Sequence, residues 1–188
     1  MSYQGALGRF FDNKGGLPSL TRDGFVAFMG PEKRGKTFLL LDVAWQSMLQ
    51  RKRVAFFEVG DLSQNQIMRR FMIRASKQPI RACTIKYPTS ITKNPAVKQA
   101  LVTTKMKEYT KPLDWRVAKL ACDKVMKSEV NSSESYLRLS THPSGSISVK
   151  GIEGILKVWE RQGFVADVVI IDYADILAPI NEKEDFRH

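Results

Sequence analysis

From Gly30 to Phe38 the chain reads Gly30, Pro31, Glu32, Lys33, Arg34, Gly35, Lys36, Thr37, Phe38, with a lysine and a threonine directly after the second glycine. Those residue types at that spacing suit phosphate chemistry. Glycines let backbone N–H groups turn inward around phosphate oxygens, a lysine ammonium reaches the β and γ phosphates, and a threonine hydroxyl can ligate Mg²⁺. The pattern G-x-x-x-x-G-K-[ST] is met at every fixed position, so the stretch is the expected binding loop for ATP, with Lys36 also acting in catalysis. The metal then needs a carboxylate at the end of another core strand. Asp172, closing the run Val168 to Asp172, stands in such a place and joins Thr37 as the expected Mg²⁺ ligand. Hydrolysis further needs a carboxylate that orients or deprotonates the attacking water. Glu58 and Asp61 are both candidates, and spacing alone does not choose between them; Asp175 reads either as an acid supporting the metal site or, more simply, as a loop acid.

A loop of this kind works between a strand and a helix. Residues 25–29 (FVAFM) are the strand expected before it, and Leu40, Val43, Ala44 and Met48 recur at helical spacing after it. A second strand is expected over 53–59, followed by a helix carrying Ile67, Met68, Phe71, Met72 and Ala75 on one face. Ser63 and Gln66 form a capping box in front of that helix. From 79 to 112 the pattern loosens around Pro79, Pro88, Pro95 and Pro112, which predicts an insertion rather than a core element. Residues 113–127 read as a helix and 135–140 as a strand. Ile152, Ile155, Leu156 and Trp159 stripe a further helix that stops at Gly163, before a strand over 166–172. Apolar strands alternating with helices predict an α/β fold with a mostly parallel sheet covered on both faces.

With 188 residues, 43% of them hydrophobic, the chain is long enough for one substantial core, so a single domain over 1–188 is expected. The longest strongly apolar run, 165–171, is far shorter than the roughly 20 residues that span a bilayer. The N-terminal sequence has no secretory apolar core, and Cys83 and Cys122 lie far apart. A cytoplasmic protein without a membrane partner is expected. The net charge of +11 is concentrated: fifteen basic residues against three acidic ones lie between Arg69 and Lys127. Such clustering suits a polyanion-binding surface, although solvated helix and loop faces also carry charge runs. Tyr87 and Tyr109 lie among these cations, where rings can stack on bases or simply pack, and Trp45 and Trp159 sit on helical stripes that belong to a core.

The residues GPEKRGKT, VAFFEVGDLSQNQIMRR, the Leu113-Asp114-Trp115 triplet, LSTHPSGSISVKGIEGIL and VVIIDYADIL together resemble the RecA-like P-loop ATPases. Within them the chain looks like the motor domain of DnaB-type replicative helicases, phage versions in particular. The likeness covers about 25–78 and 113–180 and leaves 79–112 unmatched. Matching Gln66-Ile67-Met68 to the family's helix puts Asp61 on the family's catalytic Glu, one methylene shorter, with Glu58 in reserve. The resemblance implies a hexameric ring, ATP between subunits, single-stranded DNA in a central channel, and a replication loader or primase as partner. For a phage-encoded chain it implies the bacterial host cytoplasm. The family's sensor strand and arginine finger follow the strand that ends at Asp172, so a domain incomplete at its C-terminus is expected. Two other readings stand beside the motor. One is a recombinase-like or KaiC-like regulatory ATPase that does not unwind DNA; the other is a nucleic-acid-binding module with a degenerate nucleotide site.

Overall fold

The computed structural model describes residues 24–31, 34–94, 99–127 and 134–179. Its elements in chain order are α1 (Lys36–Leu49), β1 (Val54–Val59), α2 (Gln64–Ser76), β2 (Cys83–Asn94), β3 (Gln99–Tyr109), α3 (Trp115–Met126), β4 (Leu137–His142), α4 (Val149–Arg161) and β5 (Val168–Asp172). All six positions of β1 are buried. A strand reaches that state only when it is covered on both faces, and β1 is the central strand of a parallel sheet ordered β4-β1-β5. Ala55, Phe57 and Val59 form one cluster with Ile147, Ile152 and Phe164, against which Ile155, Leu156 and Trp159 of α4 pack. Phe57 stacks on Trp159 at 5.4 Å between ring centroids, and Phe164 meets Trp159 edge-on at 6.0 Å.

Because side chains alternate along a strand, Val54, Phe56 and Glu58 face the other way. That side is covered by α1, which contributes Leu41, Val43, Ala44, Trp45 and Met48 to the core. Trp45 in turn stacks on Phe71 of α2 at 6.3 Å. Phe56 and Phe57 are both fully buried, each contributing about 1.5–3 kcal/mol by leaving water. The fold is thus α/β, with a parallel three-stranded sheet flanked by helices.

Local signals end the helices where the sequence places them. The Ser63 N–H donates to Gln66 Oε1 at 2.8 Å and the Gln66 N–H to Ser63 Oγ at 3.4 Å, so the capping box in front of α2 forms reciprocally. Ser63→Ala is expected to lower stability by about 1 kcal/mol, read as a shift in urea midpoint at unchanged m-value. Helix α4 starts at Ser148, whose side chain accepts from the Gly151 N–H, and stops at Gly163, where φ is +81°. The strand expected over 135–140 occurs two residues later, at Leu137–His142.

Two expectations are corrected. Residues 25–29 are not a strand: the segment is irregular, with Phe25 93% and Met29 94% exposed. An apolar run becomes a strand only through a neighbour's ladder, and among the described residues β5 hydrogen-bonds to β1 alone. The second correction concerns 79–112, where the loosened pattern conceals two long antiparallel strands, β2 and β3. The prolines misled because Pro88 is accommodated at a register shift between Pro88 and Ser90, while Thr, Ile, Val and Tyr around it favour strands.

The chain divides into two compact units, the described parts of Met1–Phe71 with Asp123–His188, and Met72–Cys122. The first holds the parallel sheet and the second holds the hairpin. Among the described residues no helix is long and apolar enough to cross a membrane.

Candidate functional site

The register of the sheet decides which acids meet. Glu58 is the Cα partner of Asp172 across β1 and β5, so the two carboxylates stand side by side at the carboxyl end of the sheet. Both are buried, Glu58 at 0% and Asp172 at 2% exposure. Neither Glu58 oxygen, nor Asp172 Oδ2, makes a well-formed hydrogen bond within the protein, although the Leu62 backbone and the Asp172 carboxyl both approach Glu58. Buried polar atoms of this sort are rare and costly, and they signal a missing ion, water or proton. Burial pushes the Glu58 carboxyl up from 4.5 to about 8, and the neighbouring Asp172 charge adds to the rise. The Leu62 backbone and the Arg70 charge pull the other way, more weakly.

The loop that carries Lys36 lies at the same end of the sheet. Lys36 is the first residue of α1, and its Nζ stands 5.6 Å from the ring centroid of Tyr173, the residue after Asp172. The same Nζ donates to the Gly30 carbonyl at 2.7 Å. Gly35 precedes the helix with φ +86°, a left-handed conformation that a side chain would strain. It lets the chain enter the helix with no side-chain cap, leaving the first N–H groups of α1 available to an anion. Thr37 is half-buried in the first turn of α1, whereas Gly30, Pro31, Arg34 and Phe38 are exposed. Glu32 and Lys33 lie outside the described residues.

Asp61 and Asp175 sit apart from the buried pair. Asp61 is exposed in the bend after β1, and Asp175 is exposed in a short 3-10 turn, Ala174–Ile176. Glu58, Asp172 and Lys36 are therefore gathered at the sheet's carboxyl end, while Asp61 stands at its rim in solvent. Sequence reasoning missed Tyr173. It adopts φ +64°, a strained conformation for a residue with a Cβ, held between Asp172 and the ring contact with Lys36. The available signal was the Asp-Tyr pair at the end of an apolar strand.

The residues fit a hydrated divalent cation with a nucleotide. Mg²⁺ usually takes one or two protein oxygens and fills its octahedron with water and substrate phosphates. Among the described residues no group of three or more His, Cys, Asp or Glu is placed to hold a metal without such help. Two buried carboxylates at the carboxyl end of the sheet, with Lys36 and an uncapped helix start near Tyr173, are compatible with a phosphate-bound cation. No protein-family model, curated protein or solved structure matches the chain.

Proposed function

We propose that this chain binds ATP with Mg²⁺ at the carboxyl end of its parallel sheet and hydrolyses it, as the RecA-like motor domain of a DnaB-type DNA helicase. The observation that supports this reading above others is the buried Glu58–Asp172 pair lying beside Tyr173, over whose ring Lys36 stands. In this reading the Gly30 to Phe38 loop wraps the phosphates. Lys36 exchanges the Gly30 carbonyl for a phosphate oxygen, and the left-handed Gly35 turns the backbone amides toward the same anion. Thr37 and Asp172 would hold Mg²⁺, which when bound neutralises charge on the β and γ oxygens. Glu58, side by side with Asp172, would take the proton of the attacking water once bound Mg²⁺ favours its ionised form. Asp61, which the family resemblance favours as base, is the alternative acceptor.

A hexameric ring with nucleotide between subunits, a single strand in its channel and a loader or primase as partner belong to the same proposal. Its test is the steady-state ATPase rate with and without single-stranded DNA. A motor is stimulated by the strand. Turnover indifferent to DNA would indicate a regulatory ATPase, and no turnover dependent on Lys36 would leave a nucleic-acid-binding module. Asp172→Asn is expected to lower Mg²⁺-dependent hydrolysis by about 10²-fold and to raise the Mg²⁺ concentration for half-maximal rate. Wild-type behaviour in that variant overturns the metal assignment.

A further inference from the structure

The hairpin unit, Met72–Cys122, carries eleven Lys and Arg against two acids, a net +9 of the chain's +11. That charge is not spread evenly over the hairpin. The pairing of Cys83 with Tyr109, Ile85 with Lys107 and Tyr87 with Lys105 puts these six residues on one face. The opposite face carries Thr84 with Glu108 and Lys86 with Met106, so the only acid of the two strands lies away from Lys105 and Lys107. One face thus combines unopposed cations with aromatic and aliphatic groups.

Its side chains are arranged for a ligand rather than for a core. Tyr109 is anchored, its hydroxyl donating to the Lys77 carbonyl at 3.3 Å, and Lys107 Nζ lies 4.7 Å from its ring centroid. Tyr87 is 40% exposed and directly opposite Lys105. The register shift beside it, between Pro88 and Ser90, adds local twist of the kind that re-aims side chains at binding sites. Lys105 and Lys107 are two residues apart on one strand, about 7 Å along it, a repeat comparable with successive phosphates of an extended nucleic-acid strand. A duplex would offer phosphates but hide its base faces. A single strand offers both, matching a lysine pair flanked by an exposed ring.

We propose that the face of the β2–β3 hairpin bearing Tyr87, Lys105, Lys107 and Tyr109 binds single-stranded nucleic acid, with phosphates on the two lysines and a base stacked on Tyr87. This deepens the proposed function by naming a surface for the strand, and rests on that reading only for what the strand is there to do. The test is fluorescence anisotropy of labelled oligo(dT) with the full chain, without nucleotide, across a salt series. Lys105→Ala/Lys107→Ala is expected to make the slope of log K against log salt shallower by about 1.4, two phosphates at about 0.7 each. Tyr87→Ala should weaken binding by about 5- to 100-fold at an unchanged slope, and Tyr87→Phe should retain wild-type affinity. Lys36→Ala should bind like wild type, so failure of the ATP reading leaves this result standing. An unchanged slope in the double lysine variant overturns the proposal, as does full affinity in Tyr87→Ala. Equal competition by duplex of the same sequence, or by inorganic polyphosphate, also overturns it.

Discussion

Replacing Lys36 with alanine is expected to lower ATP hydrolysis by about 10²- to 10³-fold, the loss seen when one preorganised charge donor is removed from a reaction that develops negative charge. The side chain has little structural work to lose. Its Nζ holds the Gly30 carbonyl and approaches the Tyr173 ring, both at the half-exposed rim of the sheet. The urea midpoint should therefore stay within about 0.5 kcal/mol of wild type, which separates a chemical defect from unfolding. Lys36→Arg keeps the charge but not its point-like geometry, and should recover only part of the rate. Phosphate release measures the rate, and a fluorescent ATP analogue measures binding. Wild-type turnover in Lys36→Ala would remove the loop from the mechanism altogether.

How much of this was legible beforehand follows from what each signal depends on. β1, α2, α4 and β5 were readable because an unbroken apolar run, a Ser-x-x-Gln cap and an Ile152, Ile155, Leu156, Trp159 stripe are local, and packing then agreed with them. FVAFM failed for the opposite reason. Its apolar content was read correctly, but strand formation depends on a partner that no local pattern supplies. In 79–112 four prolines suggested a loop, yet Pro88 is accommodated at an irregularity of the ladder, and the Thr-rich alternation around it prevailed. The site shows the same division. Lys36, Thr37 and Asp172 were visible as types at fixed spacing, whereas the pairing of Glu58 rather than Asp61 with Asp172 depended on which strand lies beside β5. A pairing more than a hundred residues apart in sequence leaves no periodic trace.

Glu58→Gln separates the two carboxylate candidates, because it is expected to move activity and stability in opposite directions. If Glu58 receives the proton of the attacking water, the amide lowers hydrolysis by about 10²- to 10⁴-fold, while Asp61→Asn, altering an exposed group at the rim, stays within a few-fold of wild type. The reverse result assigns the base to Asp61. Stability supplies the independent readout. The unfolded chain releases the Glu58 proton near 4.5 and the folded chain keeps it until about 8. Between those values the native state binds the extra proton, so wild-type stability falls as pH rises, by at most about 1.4 kcal/mol per pH unit. Glutamine removes the ionisation while keeping the size of the side chain, so the variant should match wild type near pH 4, exceed it near pH 8, and lose the intervening slope. Added Mg²⁺ should stabilise wild type most at the alkaline end, where the proton and the cation no longer compete for the same oxygens. A variant that is less active yet more stable is what a carboxylate kept buried for chemistry rather than for folding produces. If Glu58→Gln instead loses stability at every pH, the buried pair serves the fold, and the proposed site loses its principal support.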